Sequence, residues 1–170
     1  MILIEYFKNL RGLKTLYFEE FKVGDVFICE PILITAEEIH QFAMKYDPAP
    51  IHVEPEYAEN ESIFNGIISS GFLTISAMWG QWIRSEVFGN EFIVGTNFDY
   101  VNFTHPVRAN DVLTTEVEIV GLRASSNPNR GEVTKKFTVK NQNGEVVALV
   151  QSKSLIKTKA SISAQKSAII

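Results

Sequence analysis

The spacing of hydrophobic and polar positions changes along the chain, and the change predicts where strands and helices lie. Apolar and polar residues alternate, at least in part, in one early segment, 26–34, and in four later segments: 92–103, 112–122, 132–140 and 145–156. A period of two is typical of β-strands. Pro31 marks the early strand as an edge or bulged strand. Asn143-Gly144 favours a hairpin turn between the last two strands, so an antiparallel sheet is expected.

Helical spacing occupies the region between the early strand and the later ones. Thr35 and Glu38 form a capping box, which predicts a helix that carries apolar residues up to Tyr46. Pro48 should end this helix near Tyr46–Asp47. We expect Pro50 to hold the next step extended and Pro55 to open another short helix.

The segment 62–83 has no charged side chain and predicts a buried helix. We place this helix at about 68–88 and expect Gly89-Asn90 to end it. Its length could in principle cross a bilayer, but its interspersed Ser, Thr, Asn, Gln and Gly residues favour a core helix instead. We therefore predict an α+β domain in which an antiparallel sheet wraps around one long central helix, the hot-dog arrangement.

Composition narrows the class of protein. The 170 residues fit one domain at 17–157, with an N-terminal arm at 1–16 and a C-terminal tail at 158–170. The net charge of −4 argues against a nucleic-acid partner. The chain start lacks signal-peptide features, so we expect a cytoplasmic protein with no membrane partner. The single cysteine, Cys29, excludes an intrachain disulfide and a cysteine-based zinc site.

Candidate chemistry concentrates at 47–52, where two prolines separate Asp47 from His52. A carboxylate and an imidazole on a stiff turn suit general acid–base catalysis. Each residue alone also has an ordinary interpretation, Asp47 as a turn residue and His52 as a buried hydrogen-bonded histidine. His40 is expected on the surface and His105 in a structural turn. The histidines show no metal-ligand spacing, and no cofactor-binding motif occurs, so neither a metal nor a cofactor is expected.

Three segments, 47–58, 64–72 and 101–113, resemble the MaoC-like, (R)-specific enoyl-CoA hydratase family. The first carries Asp, Pro, an aliphatic residue and His in the order of the family's hydratase motif, followed by the small residue Ala58. The resemblance implies that Asp47 and His52 are the catalytic pair. It also implies that the backbone N–H of Gly71 stabilises an oxyanion. We expect the neighbouring residues Ile51, Ser70 and Phe72 to contact substrate.

Four positions depart from the family pattern. Ala49 stands where the motif has Asn, and Ser70 stands where a His is frequent. Asn110 replaces a usual Gly, and Trp79 occupies a position that brings a serine into the site of some members. These departures leave the acid–imidazole pair intact. They bear on substrate and efficiency more than on the class of reaction.

The predicted function is addition of water across the C2=C3 bond of an enoyl thioester, with an (R)-3-hydroxyacyl product. The expected partner is a coenzyme A or acyl carrier protein thioester, and the protein is expected to form a homodimer at least, with its acyl tunnel near the subunit interface. Two alternatives stay open: a thioesterase on the same fold, and a non-catalytic acyl-binding subunit. Five basic residues could meet coenzyme A phosphates: Arg84, Arg108, Arg123, Arg130 and Lys136. Large side chains of the central helix could form core or dimer contacts: Phe72, Met78, Trp79 and Trp82.

Overall fold

A six-stranded antiparallel sheet dominates the computed structural model, which describes residues 16–162. The main strand order is β1-β4-β5-β6-β3, and β2 also pairs with β4. Four strands are long: β3 (Phe92–Phe103), β4 (Val112–Ala124), β5 (Arg130–Lys140) and β6 (Val146–Lys157). Their predicted positions are confirmed to within two residues at each end.

The inner face of the sheet follows from the two-residue period. On β4 and β5, buried and partly exposed residues alternate, so one face of each strand is apolar and shielded. This face packs against the long helix α4 (Gly71–Arg84), where Met78 and Trp82 are fully buried. The Trp82 ring contacts Phe88 and Phe137 edge-on. The sheet thus encloses α4, and the predicted hot-dog fold is confirmed.

The early strand is divided, contrary to the single strand predicted at 26–34. Its parts are β1 (Val26–Ile28) and β2 (Ile32–Leu33), both paired with β4. Pro31 lies in the break, where it has no N–H to offer a neighbouring strand. Gln81 of α4 secures the break, because its side-chain amide donates to the carbonyls of Glu30 and Leu113 at 2.7 and 2.9 Å.

The central helix is shorter than the predicted 68–88. Ser70 is its N-cap, and the Ser70 hydroxyl accepts a hydrogen bond from the Phe72 N–H. Because the Ser70 backbone is extended, residues 68–70 lie outside the helix. At the other end, Ser85 caps the helix and Glu86 adopts a left-handed φ of 57°. The predicted stop at Gly89-Asn90 was wrong, since those residues form a separate 3-10 turn.

Within the described residues, three shorter α-helices precede α4. Helix α1 (Ala36–Tyr46) has the predicted capping box, in which the Glu38 N–H donates to the Thr35 hydroxyl. Helix α2 (Pro50–Val53) corrects the expectation of an extended step, because Pro50 occupies the first helical turn, where its missing N–H is not needed. Helix α3 (Pro55–Asn60) begins at the predicted proline.

The turn between β5 and β6 is one residue longer than the gap left between the two predicted strands. It spans 141–145, and the Asn141 side-chain oxygen accepts from the N–H groups of Asn143 and Glu145. Gly144 supplies a left-handed φ of 80°. Asn141 therefore organises this turn, and the Asn-Gly pair occupies only part of it.

The predicted arm and tail fall mainly on residues outside the described range. Of the arm at 1–16, only Leu16 is described. Of the tail at 158–170, residues 158–162 are described. Thr158 is buried, and its hydroxyl donates to the Pro128 carbonyl at 2.6 Å. The described part of the chain contains no helix that is long and apolar enough to span a bilayer.

Candidate active site

The end of α1 presents Asp47. The Asp47 N–H closes the last helical turn by donating to the Ala43 carbonyl at 2.9 Å. Its backbone then leaves helical geometry, with φ −153° and ψ 66°, as expected for a residue before proline. The side chain of Asp47 therefore projects from the helix end.

The one-turn helix α2 fixes the orientation of His52. The ring is 7% exposed, and its Nδ1 lies 2.8 Å from the Ile68 carbonyl oxygen. Because a carbonyl oxygen can only accept, Nδ1 must carry the hydrogen of this bond. In the neutral ring, Nε2 is then the nitrogen with a lone pair.

The two side chains converge. His52 Nε2 lies 3.4 Å from Asp47 Oδ2. This is longer than an ordinary N–H···O hydrogen bond. In this tautomer both atoms are acceptors, so a single water molecule can donate one hydrogen to each of them. The carboxylate is the more accessible partner, with 29% of its side chain exposed.

Ser70 links Asp47 to the N-terminus of α4. The Ser70 hydroxyl donates to Asp47 Oδ2 at 2.7 Å and accepts from the Phe72 N–H at 3.2 Å. Ser70 is fully buried and does not line the cavity described below. The Ser70 hydroxyl therefore positions the Asp47 carboxylate. Direct contact between Ser70 and substrate stays a prediction.

Gly71 is the first residue of α4. Within the described residues its N–H has no hydrogen-bond partner, as expected for the first turn of a helix. A Cβ atom at Gly71 would lie 2.5 Å from the Phe103 ring. Any larger residue at this position would therefore force the Phe103 ring to move, whether or not the Gly71 N–H also serves as a donor.

Asp47, His52, Gly71 and Phe72 line one cavity of about 370 Å³, which we call the acid–imidazole cavity. The structure thus brings together four of the six predicted site residues. Ile51 does not line this cavity, and its carbonyl accepts the Ile68 N–H at 3.2 Å. Most of the remaining wall is apolar and comes from Phe64, Ile68, Phe103, Pro106, Val107 and Val147.

Sequence reasoning placed His105 in a structural turn and missed its position on the cavity wall. Its Nδ1 does bond to the Val146 carbonyl, at 2.8 Å, but the residue also lines the acid–imidazole cavity together with Thr104. Both residues follow directly after the predicted strand 92–103. That strand ends beside the first turn of the central helix, a contact that no local sequence pattern indicates. His40 is exposed on α1, as predicted.

Of the basic candidates for coenzyme A phosphates, Arg108 lies next to the cavity. Its guanidinium donates to the carbonyl of Phe64, a cavity-lining residue. Arg123 and Lys136 instead pair with Glu132 and Glu118 on the sheet. None of the five candidates forms part of the cavity wall.

Two departures from the family pattern have local explanations. Asn110 adopts a left-handed φ of 71°, which Asn tolerates better than most residues that are not glycine. Ala49 is the N-cap of α2 and provides no side-chain capping bond. Its N–H donates to the Asp47 carbonyl at 2.8 Å, so the turn keeps a backbone hydrogen bond without a side-chain cap.

The described residues contain no group of three or more His, Cys, Asp or Glu side chains that could hold a metal ion.

Comparison with known proteins gives a consistent result. The family model for the MaoC-like domain matches residues 21–141. The chain is 34% identical over 115 residues to an uncharacterized protein, YdeM, of Bacillus subtilis, which covers 68% of this chain and 78% of that protein.

Solved structures share the fold. The MaoC-like dehydratase from Rhodospirillum rubrum has 29% identity and a TM-score of 0.79, with 85% of this chain and 98% of that chain covered. The R-hydratase PhaJ1 from Pseudomonas aeruginosa has 23% identity and a TM-score of 0.64, with 85% and 86% covered, and shows similarity of fold alone.

Proposed function

The chain belongs to the MaoC-like domain family, and on this premise we propose that it hydrates the C2=C3 bond of an enoyl thioester, with coenzyme A as the carrier. The observation that carries the proposal is the 3.4 Å separation of His52 Nε2 and Asp47 Oδ2 on the wall of an apolar cavity. A pair of acceptors at this distance suits activation of one water molecule.

In the first step, the oxygen of the held water attacks C3 while the pair accepts one of its protons. The C3–O bond forms, and the electrons of the double bond move to the thioester oxygen as an enolate. In the second step, the pair delivers a proton to C2 and the thioester carbonyl is restored. The product contains every atom of the water, so the reaction consumes no oxidant, reductant or second substrate.

The Gly71 N–H is the donor that stabilises the enolate oxygen. It lies at the positive end of α4 and has no other partner among the described residues. Because such a donor is already oriented, its hydrogen bond to the thioester oxygen strengthens as negative charge develops there. Loss of one such donor typically costs about 3 kcal/mol of transition-state stabilisation.

The working form is a homodimer that closes the cavity. Strand β3 is the last strand of the sheet order, so one of its edges lacks a strand partner within the described chain. Apolar side chains on β3 are also uncovered, with Phe98 49% and Phe103 54% exposed. Pairing of two β3 edges would satisfy the free backbone groups and shield these rings. The product has the (R) configuration, as the family resemblance implies.

The test is incubation with crotonyl-CoA while enoyl absorbance and free thiol are followed together. We expect absorbance to fall without thiol release. Asp47→Asn should reduce kcat by roughly 10²–10⁴-fold, whereas Asp25→Asn, in an exposed turn, serves as the matched control. Release of thiol would indicate a thioesterase. Absence of turnover with short, long and branched enoyl-CoAs would contradict the enzymatic assignment.

A further inference from the structure

A groove continues from the acid–imidazole cavity along one face of α4 and leads into a second cavity. Phe72 lines both the acid–imidazole cavity and the groove. Ile75 and Ser76, one turn further along the helix, line both the groove and a cavity of about 820 Å³ between α4 and β3, which we call the distal cavity. Because neighbouring spaces share wall residues, the three form one continuous path that starts beside Asp47 and His52.

The wall of the groove suits a hydrocarbon chain. Apart from Ser76, the residues that line it are aliphatic or aromatic: Phe42, Tyr46, Phe72, Ile75, Phe98 and Val101. None of these side chains carries a charge. Phe72 and Phe98 are exposed, so a ligand that covers them removes apolar surface from water. A charged chain would instead lose its hydration here without gaining a partner.

Trp79 is the last residue of α4 that lines this path, and its ring reaches across to β3. A Cβ atom added at Gly95 of β3 would lie 3.7 Å from the outer edge of the indole, so the ring lies directly over this glycine. Phe92 and Phe98 pack edge-on against the same ring, with centroid distances of 6.0 and 6.3 Å. The indole is therefore held against β3 and forms an ordered wall between the helix and the strand.

The length of the path follows from helix geometry. Gly71 and Trp79 are eight positions apart in α4, which corresponds to roughly 12 Å along the helix axis. Because helical side chains lean toward the N-terminus, the Trp79 ring lies roughly 10 Å from the Gly71 N–H along this axis. An extended chain advances roughly 1.2 Å per bond. With the thioester oxygen at the Gly71 N–H, an acyl chain of about eight carbons therefore reaches the indole.

We propose that Trp79 is the end wall of the acyl channel and limits the substrate to chains of about eight carbons. This inference rests on the proposed function. It names the substrate class as medium-chain enoyl thioesters. A shorter chain leaves part of the groove uncovered and forgoes roughly fourfold in affinity for each missing CH₂ group. A longer chain must displace an indole that β3 holds in place.

The first test measures kcat/KM for crotonyl-CoA, 2-octenoyl-CoA and 2-dodecenoyl-CoA. We expect the wild type to prefer the octenoyl over the crotonyl substrate by at least about tenfold, because the additional CH₂ groups leave water. The dodecenoyl substrate should fall about tenfold below the octenoyl substrate, because its end overlaps the indole. Values that do not depend on chain length would mean that a second copy of the chain fills the groove, and they would overturn the inference.

Two variants change the channel in opposite directions. Trp79→Ala removes the end wall and should move the optimum to the dodecenoyl substrate. Ser76→Leu adds bulk at an exposed position in the groove and should lower the ratio of octenoyl to crotonyl kcat/KM, which keeps the inference testable if Trp79→Ala does not fold. Ile83→Phe is the matched control, because Ile83 is exposed on the same helix and lines none of the three spaces. An unchanged ratio in Ser76→Leu, or an unchanged optimum in folded Trp79→Ala, would contradict the assignment.

The second test measures binding without turnover. In calorimetric titrations, octanoyl-CoA should bind at least about tenfold more tightly than butyryl-CoA, and dodecanoyl-CoA should gain further affinity only in Trp79→Ala. If crotonyl-CoA is hydrated but neither test depends on chain length, this inference is overturned and the proposed function stands. If binding depends on chain length and on Trp79 but no enoyl thioester is hydrated, the channel is supported and the proposed function fails.

Discussion

The hydroxyl of Ser70 donates to the Asp47 carboxylate at 2.7 Å and, at the same time, caps the central helix. One side chain therefore joins the proposed acid to the element that carries the proposed oxyanion donor. A substitution that moves either the Asp47 carboxylate or the first turn of the central helix should therefore affect the other as well.

We expect Ser70→Ala to lower kcat by roughly tenfold, because the carboxylate loses the hydrogen bond that orients it, and a hydrogen bond to a charged group contributes about 1.5 kcal/mol. The free energy of unfolding should also fall by about 1 kcal/mol through loss of the N-cap. Crotonyl-CoA kinetics and urea unfolding measure the two effects.

Two comparison variants separate positioning from stability. Ser70→Thr keeps the hydroxyl and should recover most of kcat. Ser85→Ala removes a hydroxyl that donates to the Trp82 carbonyl at the other end of the same helix, and it should reduce stability without changing kcat. An equal loss of kcat in both alanine variants would show that Ser70 acts through stability alone.

His52→Asn and His52→Gln should separate the two ring nitrogens. The Asn amide can replace Nδ1 as the donor to the Ile68 carbonyl, while Gln reaches toward the position of Nε2. We expect both variants to lose roughly 10²–10⁴-fold in kcat, because neither amide accepts a proton at neutral pH. Only His52→Asn should keep nearly wild-type stability in urea. His40→Asn, on the exposed face of α1, is the control. Full activity in the His52→Asn variant would show that Nε2 of His52 takes no part in the reaction.

Gly71→Ala should destabilise the protein by about 1–3 kcal/mol, because the new methyl group overlaps the Phe103 ring. Gly80→Ala is the matched control in the same helix. There the methyl group meets only the flexible end of Arg84, at 3.0 Å, so the helix should gain up to about 1 kcal/mol from the better helix former.

A second substitution tests whether Gly71 contributes more than space. Because alanine keeps the backbone N–H, Gly71→Ala combined with Phe103→Leu should regain both stability and kcat. Thermal unfolding and crotonyl-CoA kinetics provide the readouts. If stability recovers but kcat does not, the backbone N–H is not the only contribution of residue 71 to catalysis.

Lys135 should make the free energy of unfolding depend on pH above about pH 7. Burial lowers its pKa from 10.5 to about 7 in the folded chain, whereas the unfolded chain keeps the ordinary value. Between these two values the unfolded chain binds more protons, so the free energy of unfolding should rise as the pH rises from about 7 to 10.5.

Lys135→Met should therefore be more stable than the wild type near pH 7, by an amount on the order of a few kcal/mol. The difference should shrink toward pH 10, and urea unfolding at several pH values measures it. Lys136→Met should keep the wild-type slope. If the free energy of unfolding of Lys135→Met still rises with pH in this range, the pH dependence comes from other groups.

The sequence was sufficient to predict those features of the fold that depend on local pattern. The capping box of Thr35, the long alternating strands and the end of α1 before Pro48 all have short-range causes, and they appear as predicted. The division of the early strand was not predictable in this way, because Gln81, about fifty positions away, holds its break through a bond to the Glu30 carbonyl.

Site features that arise from distant contacts were also missed. The bond from the Ser70 hydroxyl to Asp47, 23 positions earlier in the chain, was not predicted. His105 was placed in a turn without reference to α4, although both border the same cavity.

The short segment between Asp47 and His52 has a consequence for the unfolded chain as well. Pro48 and Pro50 each lock one backbone torsion before any folding has occurred. The chain that links the carboxylate to the imidazole therefore has fewer conformations to lose than an ordinary six-residue stretch. Part of the order that acid–base chemistry requires is thus encoded in the covalent structure, and the approach of the two groups depends correspondingly less on the packing around them.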